Sequence, residues 1–456
     1  MPTKLSRMVA TLAALCLAAN VLPARAEGGP EVIRDAEIEQ LLRDYATPVF
    51  KAAGLNTGAI RIILVGDRSF NAFVANGQKI FVNVGALMEA KTPNETIGVL
   101  AHETGHIAGG HLARMRAELE KAQIMAVAGM LLGGAAAATT LRKNSPVGAD
   151  ESGIWGALLG PSELVRRSLL SYVRAEEAAA DSAAVTYLDK TGQSAKGMLT
   201  TFERFANDAL FKTSSIDPYL QTHPMPAERI SNLQQAAKQS PNFNRLDNPA
   251  LQARHELMRG KLFGFLAQPG EVARRFPPSD TSMGARYARA ISTYKYGRFD
   301  DGLAQINALI AAQPGNAYFY ELKGQALLEN GRSAVALAPL RKAVAMAPGG
   351  QPIRVMLGHA LVDTNTPGNT DEAIKVLANA TQRDEDSADA YQFLAMAWNH
   401  KGNEAKAQVA AAQSLFASGH YVEARTQASR AQSKVKEGSP DWLKADDILN
   451  YRPPVF

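Results

Sequence analysis

Between positions 281 and 436 the chain repeats itself at a fixed interval. Gly297 and Gly331 are 34 residues apart, as are Gly324 and Gly358, and Pro314 and Pro348. A period of this length marks a stack of helical hairpins. One hairpin cannot bury its apolar face alone, so successive units pile into a curved solenoid. A non-repeating, alanine-rich bundle would give no reason for three independent matches at one spacing.

The run Tyr320-x-x-x-Gly324…Gly331…Ala336…Leu340…Ala343…Pro348 follows the tetratricopeptide (TPR) pattern, with Tyr at the usual Trp position. The next unit carries three extra residues around Thr366-Pro367-Gly368, Gly402 restores the phase, and a shorter unit follows Gly419. About four hairpins are expected over 281–436, followed by a tail, 437–456. The concave face of such a stack binds a peptide or a protein partner.

The other end of the chain reads as an export signal. Lys4 and Arg7 precede an apolar run, Met8 to Leu22, which Pro23 ends before Ala24-Arg25-Ala26. This is the plan of a secretory signal peptide over 1–26, cleaved after Ala26 into a periplasmic chain. The apolar core is short for a membrane span of ~20 residues. Of 49 basic residues the cut removes three, and of 44 acidic residues none, so the net charge of +5 becomes +2. A near-neutral chain has no electrostatic reason to bind nucleic acid. The single cysteine, Cys16, leaves with the signal, which excludes disulfide scaffolds and Cys-ligated metal modules.

Residues 27–241 mix strand and helix signals. Ile60 to Val65 is a β-branched run, and Asn76-Gly77 splits Phe70 to Val84 into two arms of a hairpin. Helical patterning takes over near Asn94. A helical linker is expected over 242–280, ending at Pro277-Pro278-Ser279. The fold class is thus α+β, mostly α: a domain with a small, edge-exposed sheet, then an all-α solenoid.

The chemistry concentrates in His102-Glu103-Thr104-Gly105-His106. On a helix, positions i and i+4 differ by ~40° and ~6 Å, so two imidazoles can converge on one metal ion. Glu103 lies ~100° from His102, beside the metal, where it suits a general base acting on water. The expected ion is one Zn2+ per chain. A third histidine six residues beyond His106 would mark another zinc class, but position 112 is Leu. His111 comes one residue too early, ~140° round a continuing helix, and is read as a structural or supporting histidine. A carboxylate ligand must come from elsewhere. Leu164 to Leu188 contains Glu176-Glu177-Ala178-Ala179-Ala180-Asp181, where Glu177 and Asp181 share a face; composition alone does not choose between Glu176 and Glu177. Asp181 can accept from a ligand imidazole and fix its tautomer. A third element, Thr222-His223-Pro224-Met225-Pro226-Ala227-Glu228-Arg229, sets His223 and Arg229 in a stiff loop as candidates for the rim of the site.

Together, His102-Glu103-x-x-His106, Glu177-x-x-x-Asp181 and His223-Pro224…Arg229 resemble the CAAX-prenyl-endopeptidase-like gluzincins, as does Asn71-Ala72-Phe73 before the hairpin. The resemblance covers about residues 30–235 and implies a zinc metalloendopeptidase. It selects Glu177 as the third ligand and gives His223 the role of a fourth, latching ligand. Val173 stands where the family often has Ser. With the exported start and the repeats, the resemblance implies envelope protein quality control. The substrates would be unfolded or misassembled proteins, added as a strand near Phe70 to Val84. The repeats would dock outer-membrane assembly machinery. His223 or Arg229 would stabilise the oxyanion.

The apolar run Ile124 to Leu141 does not fit a span. One crossing there would put His106 and Glu177 on opposite sides of the membrane, and no second span precedes Glu177. It is read as a buried or surface-docking hairpin, with peripheral membrane contact as its functional form. A rival reading of the whole chain is a periplasmic chaperone or scaffold with a latent or structural zinc site.

Overall fold

The computed structural model describes residues 31–75, 77–121, 151–211, 223–224 and 227–452. The signal 1–26 and the run 124–141 lie outside the described residues.

The first region is built on four strands, β1 (Val32–Ile33), β2 (Arg61–Val65), β3 (Ala72–Ala75) and β4 (Lys79–Asn83), in the order β1-β2-β4-β3. β2 and β4 run parallel with Ile62 opposite Ile80, while β3 returns antiparallel with Phe73 opposite Phe81. Gly77 takes φ 85°, the left-handed turn expected of the hairpin. β3 is an edge: among the described residues no strand pairs with its outer side.

Helices α1 (Ala36–Ala52), α2 (Val84–Glu89), α3 (Pro93–Gly109), α4 (Glu151–Lys190), α5 (Lys196–Phe211) and α6 (Ala227–Gln239) complete this region. Leu41, Leu42, Tyr45, Ile80, Leu87, Leu100, Met198 and Phe202 form its dry centre. α3 opens on Pro93, capped by Thr92, whose side chain accepts from the Glu95 amide. It passes through the middle of the region, so residues 93–105 are all buried. It ends where Gly110 turns left-handed, at φ 67°, and a new helical stretch begins at 111.

Helices α7 (Pro249–Leu266) and α8 (Pro269–Arg275) occupy the expected linker. α7 is a shared wall. Met258, Leu262 and Phe263 belong to the first core, while Leu257 packs with Tyr287 and Ile291 of the solenoid.

Ten helices then run in pairs: α9 (Met283–Tyr296) with α10 (Phe299–Ala312), α11 (Ala317–Glu329) with α12 (Ser333–Met346), α13 (Gln351–Thr364) with α14 (Pro367–Arg383), α15 (Ala388–His400) with α16 (Glu404–Ala417), and α17 (Tyr421–Gln432) with α18 (Pro440–Asn450). The 34-residue glycine spacing has a direct cause. Gly324 receives Leu340 of its partner helix, and Gly358 receives Leu377; a methyl group at either glycine would stand 2.4 Å from the leucine. α18 lies in the stretch set aside as a tail and packs Ala445 and Ile448 with Ala424 and Ala428. The run of units is therefore one helix longer than the pattern suggested. Alanine carries this last contact, and alanine gives little periodic signal.

The solenoid folds back on the first region. Lys261 of α7 is buried with Asp35 at 2.7 Å, Glu321 at 3.3 Å and Glu37 at 3.4 Å. Asp384, between α14 and α15, pairs with Arg34 at 2.5 Å and Arg61 at 3.2 Å. Among the described residues no helix is long and apolar enough to cross a membrane.

Candidate metal centre

Four side chains from three segments meet under the edge strand: His102 and His106 of α3, Glu177 of α4, and His223 just before α6. Helical geometry brings the first two together, with Nε2 atoms 3.1 Å apart. Glu177 Oε1 is 3.3 Å from His106 Nε2, and Oε2 is 3.4 Å from His102 Nε2. His223 Nδ1 lies 3.1 Å from Glu177 Oε1 and 3.4 Å from His102 Nε2. Zinc bonds of 2.0–2.1 Å in a tetrahedron set donor atoms about 3.3 Å apart. The nitrogen and oxygen donors therefore fit one such ion. His102, Glu177 and His223 are buried and His106 nearly so.

Glu177 and Glu176 part company here. Glu177 turns into the cluster, while Glu176 faces His111 and Arg114. Burial alone would raise the Glu177 carboxyl, but contacts to His102, His106 and His223 outweigh it and hold it well below the usual carboxylate range.

Glu103 adjoins the cluster without joining it. Both its carboxylate oxygens are buried and have no hydrogen-bond partner among the described residues, with His223 Nε2 at 3.6 Å from Oε1. Burial pushes this carboxyl up, against the pull of His223 and His102. A naked carboxylate costs several kcal/mol in an apolar interior. Here it is positioned to take a proton.

Supporting contacts hold the cluster. Asp181 Oδ1 lies 2.9 Å from His102 Nδ1, which sets the ring with Nε2 toward the cluster. Arg229 does not line a rim. It is 6% exposed and grips Asp181 twice, at 2.5 and 2.9 Å, and Glu177 at 2.7 Å, with its guanidinium over the Phe202 ring. The physical reason is charge. Two adjacent buried carboxylates need a cation, and the planar fork of Arg serves both. His223 likewise points inward. Its Nε2 stands 3.3 Å from the carbonyl oxygen of Ala72, on the edge strand.

One contributor is absent from the sequence reading, and a second is present there without its partner. Phe202 was not singled out; its spacing on α5 is that of any core aromatic. His111 was read as supporting, but its partner was not legible, because the helix was expected to continue past Gly110. His111 Nδ1 lies 2.8 Å from His106 Nδ1.

Residues 33–237 match the family model described as "Peptidase family M48", and residues 287–350 match "Tetratricopeptide repeat". A "Beta-barrel assembly-enhancing protease" of Yersinia pestis is 25% identical over 415 residues, covering 90% of this chain and 82% of the relative. The protein of the same name from Escherichia coli K12 is 22% identical over 428 residues, covering 92% and 84%. A "Putative beta-barrel assembly-enhancing protease" of Vibrio cholerae is 25% identical over 356 residues, covering 68% and 70%. The donor cluster, the buried glutamate beside it and these matches agree: the chain carries a peptidase family M48 domain, a metalloprotease, followed by tetratricopeptide repeats.

Proposed function

We propose that this is an exported zinc endopeptidase that cleaves unfolded or misassembled proteins during assembly of outer-membrane barrels. His102, His106 and Glu177 would hold the ion, with His223 as a fourth, displaceable donor. The zinc would supply a Lewis acid for the scissile carbonyl and its attacking water. Glu103 takes a proton from that water and returns it to the leaving amine. Arg229 and Asp181 keep the ligand rings and carboxylate in place. A client segment adds to the outer side of β3 as an extended strand, a mode that reads backbone and so favours unfolded chains. The names of the relatives support barrel proteins as clients, and the repeats suit a protein partner in that assembly. The signal-like start supports a periplasmic site of action, with peripheral membrane contact through the 124–141 run.

The carrying observation is Glu103, whose two buried oxygens accept no hydrogen bond among the described residues and stand beside four metal-type donors. The test is digestion of casein or an unfolded barrel protein by the mature chain, with and without chelator, and by Glu103→Gln. Cleavage should vanish in both cases while Glu103→Gln keeps its zinc. Chelator-insensitive cleavage would falsify the metal mechanism.

The closed set of four donors favours a second reading, a chaperone or scaffold with a silent site. Rescue of a deletion strain by Glu103→Gln would support it.

A further inference from the structure

The two ligand histidines of α3 are held differently. His102 leans on a carboxylate directly. His106 leans on another imidazole. We infer that His111 is the positioning residue of His106, linking that ring to the carboxylate of Glu176. This rests on the reading of the cluster as a metal site.

The atoms allow one consistent assignment with His111 neutral. His106 turns Nε2 into the donor cluster, so its proton sits on Nδ1. That N–H donates to His111 Nδ1, 2.8 Å away. His111 then carries its own proton on Nε2, which lies 2.8 Å from Glu176 Oε2. Arg114 Nη2 donates to the same oxygen at 2.7 Å. Each polar atom along the path has one role, and the tautomer of His106 is fixed by the far end. A ligand imidazole held through its second nitrogen is a more basic and better oriented donor.

The backbone is shaped for this contact. On a helix continuing past Gly109, His111 would lie ~140° from His106. Instead Gly110 takes the left-handed conformation, and the chain restarts as a helix at 111. The His111 ring folds across Gly109, where a methyl group would stand 2.1 Å from Nε2. The pair Gly109-Gly110 thus turns a histidine of unsuitable spacing into a partner for the ligand. His111 is buried, yet the path from it ends at Arg114, half-exposed on the surface. His102 has no such outlet, because Asp181 and Arg229 are both buried.

The experiment compares wild type, His111→Leu, His111→Asn and Glu176→Gln in the mature chain. Zinc affinity is measured by chelator competition, and Co2+-loaded protein is examined by visible absorption. His111→Leu should bind zinc about 10–100-fold more weakly and shift the Co2+ bands. His111→Asn, whose Oδ1 can stand where Nδ1 stood, should recover most of the affinity, and Glu176→Gln should lose only a few-fold. Wild-type affinity in His111→Leu, or a folded His111→Asn no better than Leu, overturns the inference. Should His111→Leu not fold, Gly109→Ala takes its place: it keeps His111 but displaces its ring, and unchanged affinity there also overturns it. Failure of the wild type itself to bind Zn2+ or Co2+ would instead remove the metal reading on which the inference rests.

Discussion

Gly105 lies directly against the backbone of Ala180. A methyl group on Gly105 would stand 2.8 Å from the Ala180 carbonyl oxygen and 2.9 Å from its Cα. This contact sets the separation of α3 and α4, and therefore of the two histidines from Glu177 and Asp181. Gly105→Ala should force the helices apart and cost about 1–3 kcal/mol of stability, with a parallel loss of zinc affinity. Denaturant unfolding and a chelator titration check both. Unchanged values would mean that the interface yields without moving the ligands.

His223 closes two things at once. Its Nδ1 joins the donor cluster and its Nε2 covers the carbonyl of Ala72. Asn71 bonds inward to Asn83, so by antiparallel alternation Ala72 and Val74 direct their backbone groups to the open side of β3. His223→Ala should therefore raise cleavage of an unfolded substrate several-fold while zinc stays bound. Unchanged or lower activity at full zinc content would refute a latch.

Arg229→Ala would leave Glu177 and Asp181 as neighbouring buried anions without their cation. Breaking such a buried pair costs about 3–5 kcal/mol, and the zinc-free protein should melt well below the wild type. Arg229→Lys should restore only part of the loss, because a lysine cannot span both carboxylates as the fork does. Thermal melts of the metal-free proteins give the comparison. Full recovery by lysine would count against the bidentate role.

The Lys261 cluster makes stability depend on pH. Burial pushes Glu321 up to about 7, with Lys261 opposing and Asp35 and Glu37 adding to the rise. Burial raises Glu37 as well, while Lys261 and the Tyr287 hydroxyl pull it down. Tyr318 also faces this group. An acid whose folded pKa exceeds its unfolded value, about 4.3, binds more protons when folded. Its contribution is complete below that unfolded value and is lost as pH rises through the folded one. Melting temperature should accordingly fall between about pH 5 and pH 8, and Glu321→Gln should flatten that slope. A slope unaffected by the substitution would refute this origin.

The repeat period and the paired histidines were legible because each is a spacing, and the step from Glu177 to Asp181 marked a shared helix face, whereas the choice of Glu177 over Glu176 came from the family resemblance. The period of 34, the four-residue step from His102 to His106, and the four-residue step from Glu177 to Asp181 all follow from helix geometry. The β3–β4 hairpin was equally plain in Asn76-Gly77. What stayed hidden depends on contacts between segments far apart in sequence. Arg229 reads as a residue of the site's rim because nothing local reveals two carboxylates about 50 positions upstream. His111 was misplaced in angle because one left-handed glycine resets the helix. The wall α7 read as a linker because its two faces serve different cores, and its apolar residues consequently show no single stripe.

That shared wall also bears on how the molecule survives damage. Phe263 seals one core, Leu257 the other, and Lys261 ties α1 to α11 between them. A chain shortened after α8 would leave Leu257 of α7, and Lys261 with Asp35 and Glu37, without their cover. The repeats are thus a structural part of the enzyme, not an appendage to be trimmed. Loss of the repeats removes one of the two faces against which α7 packs.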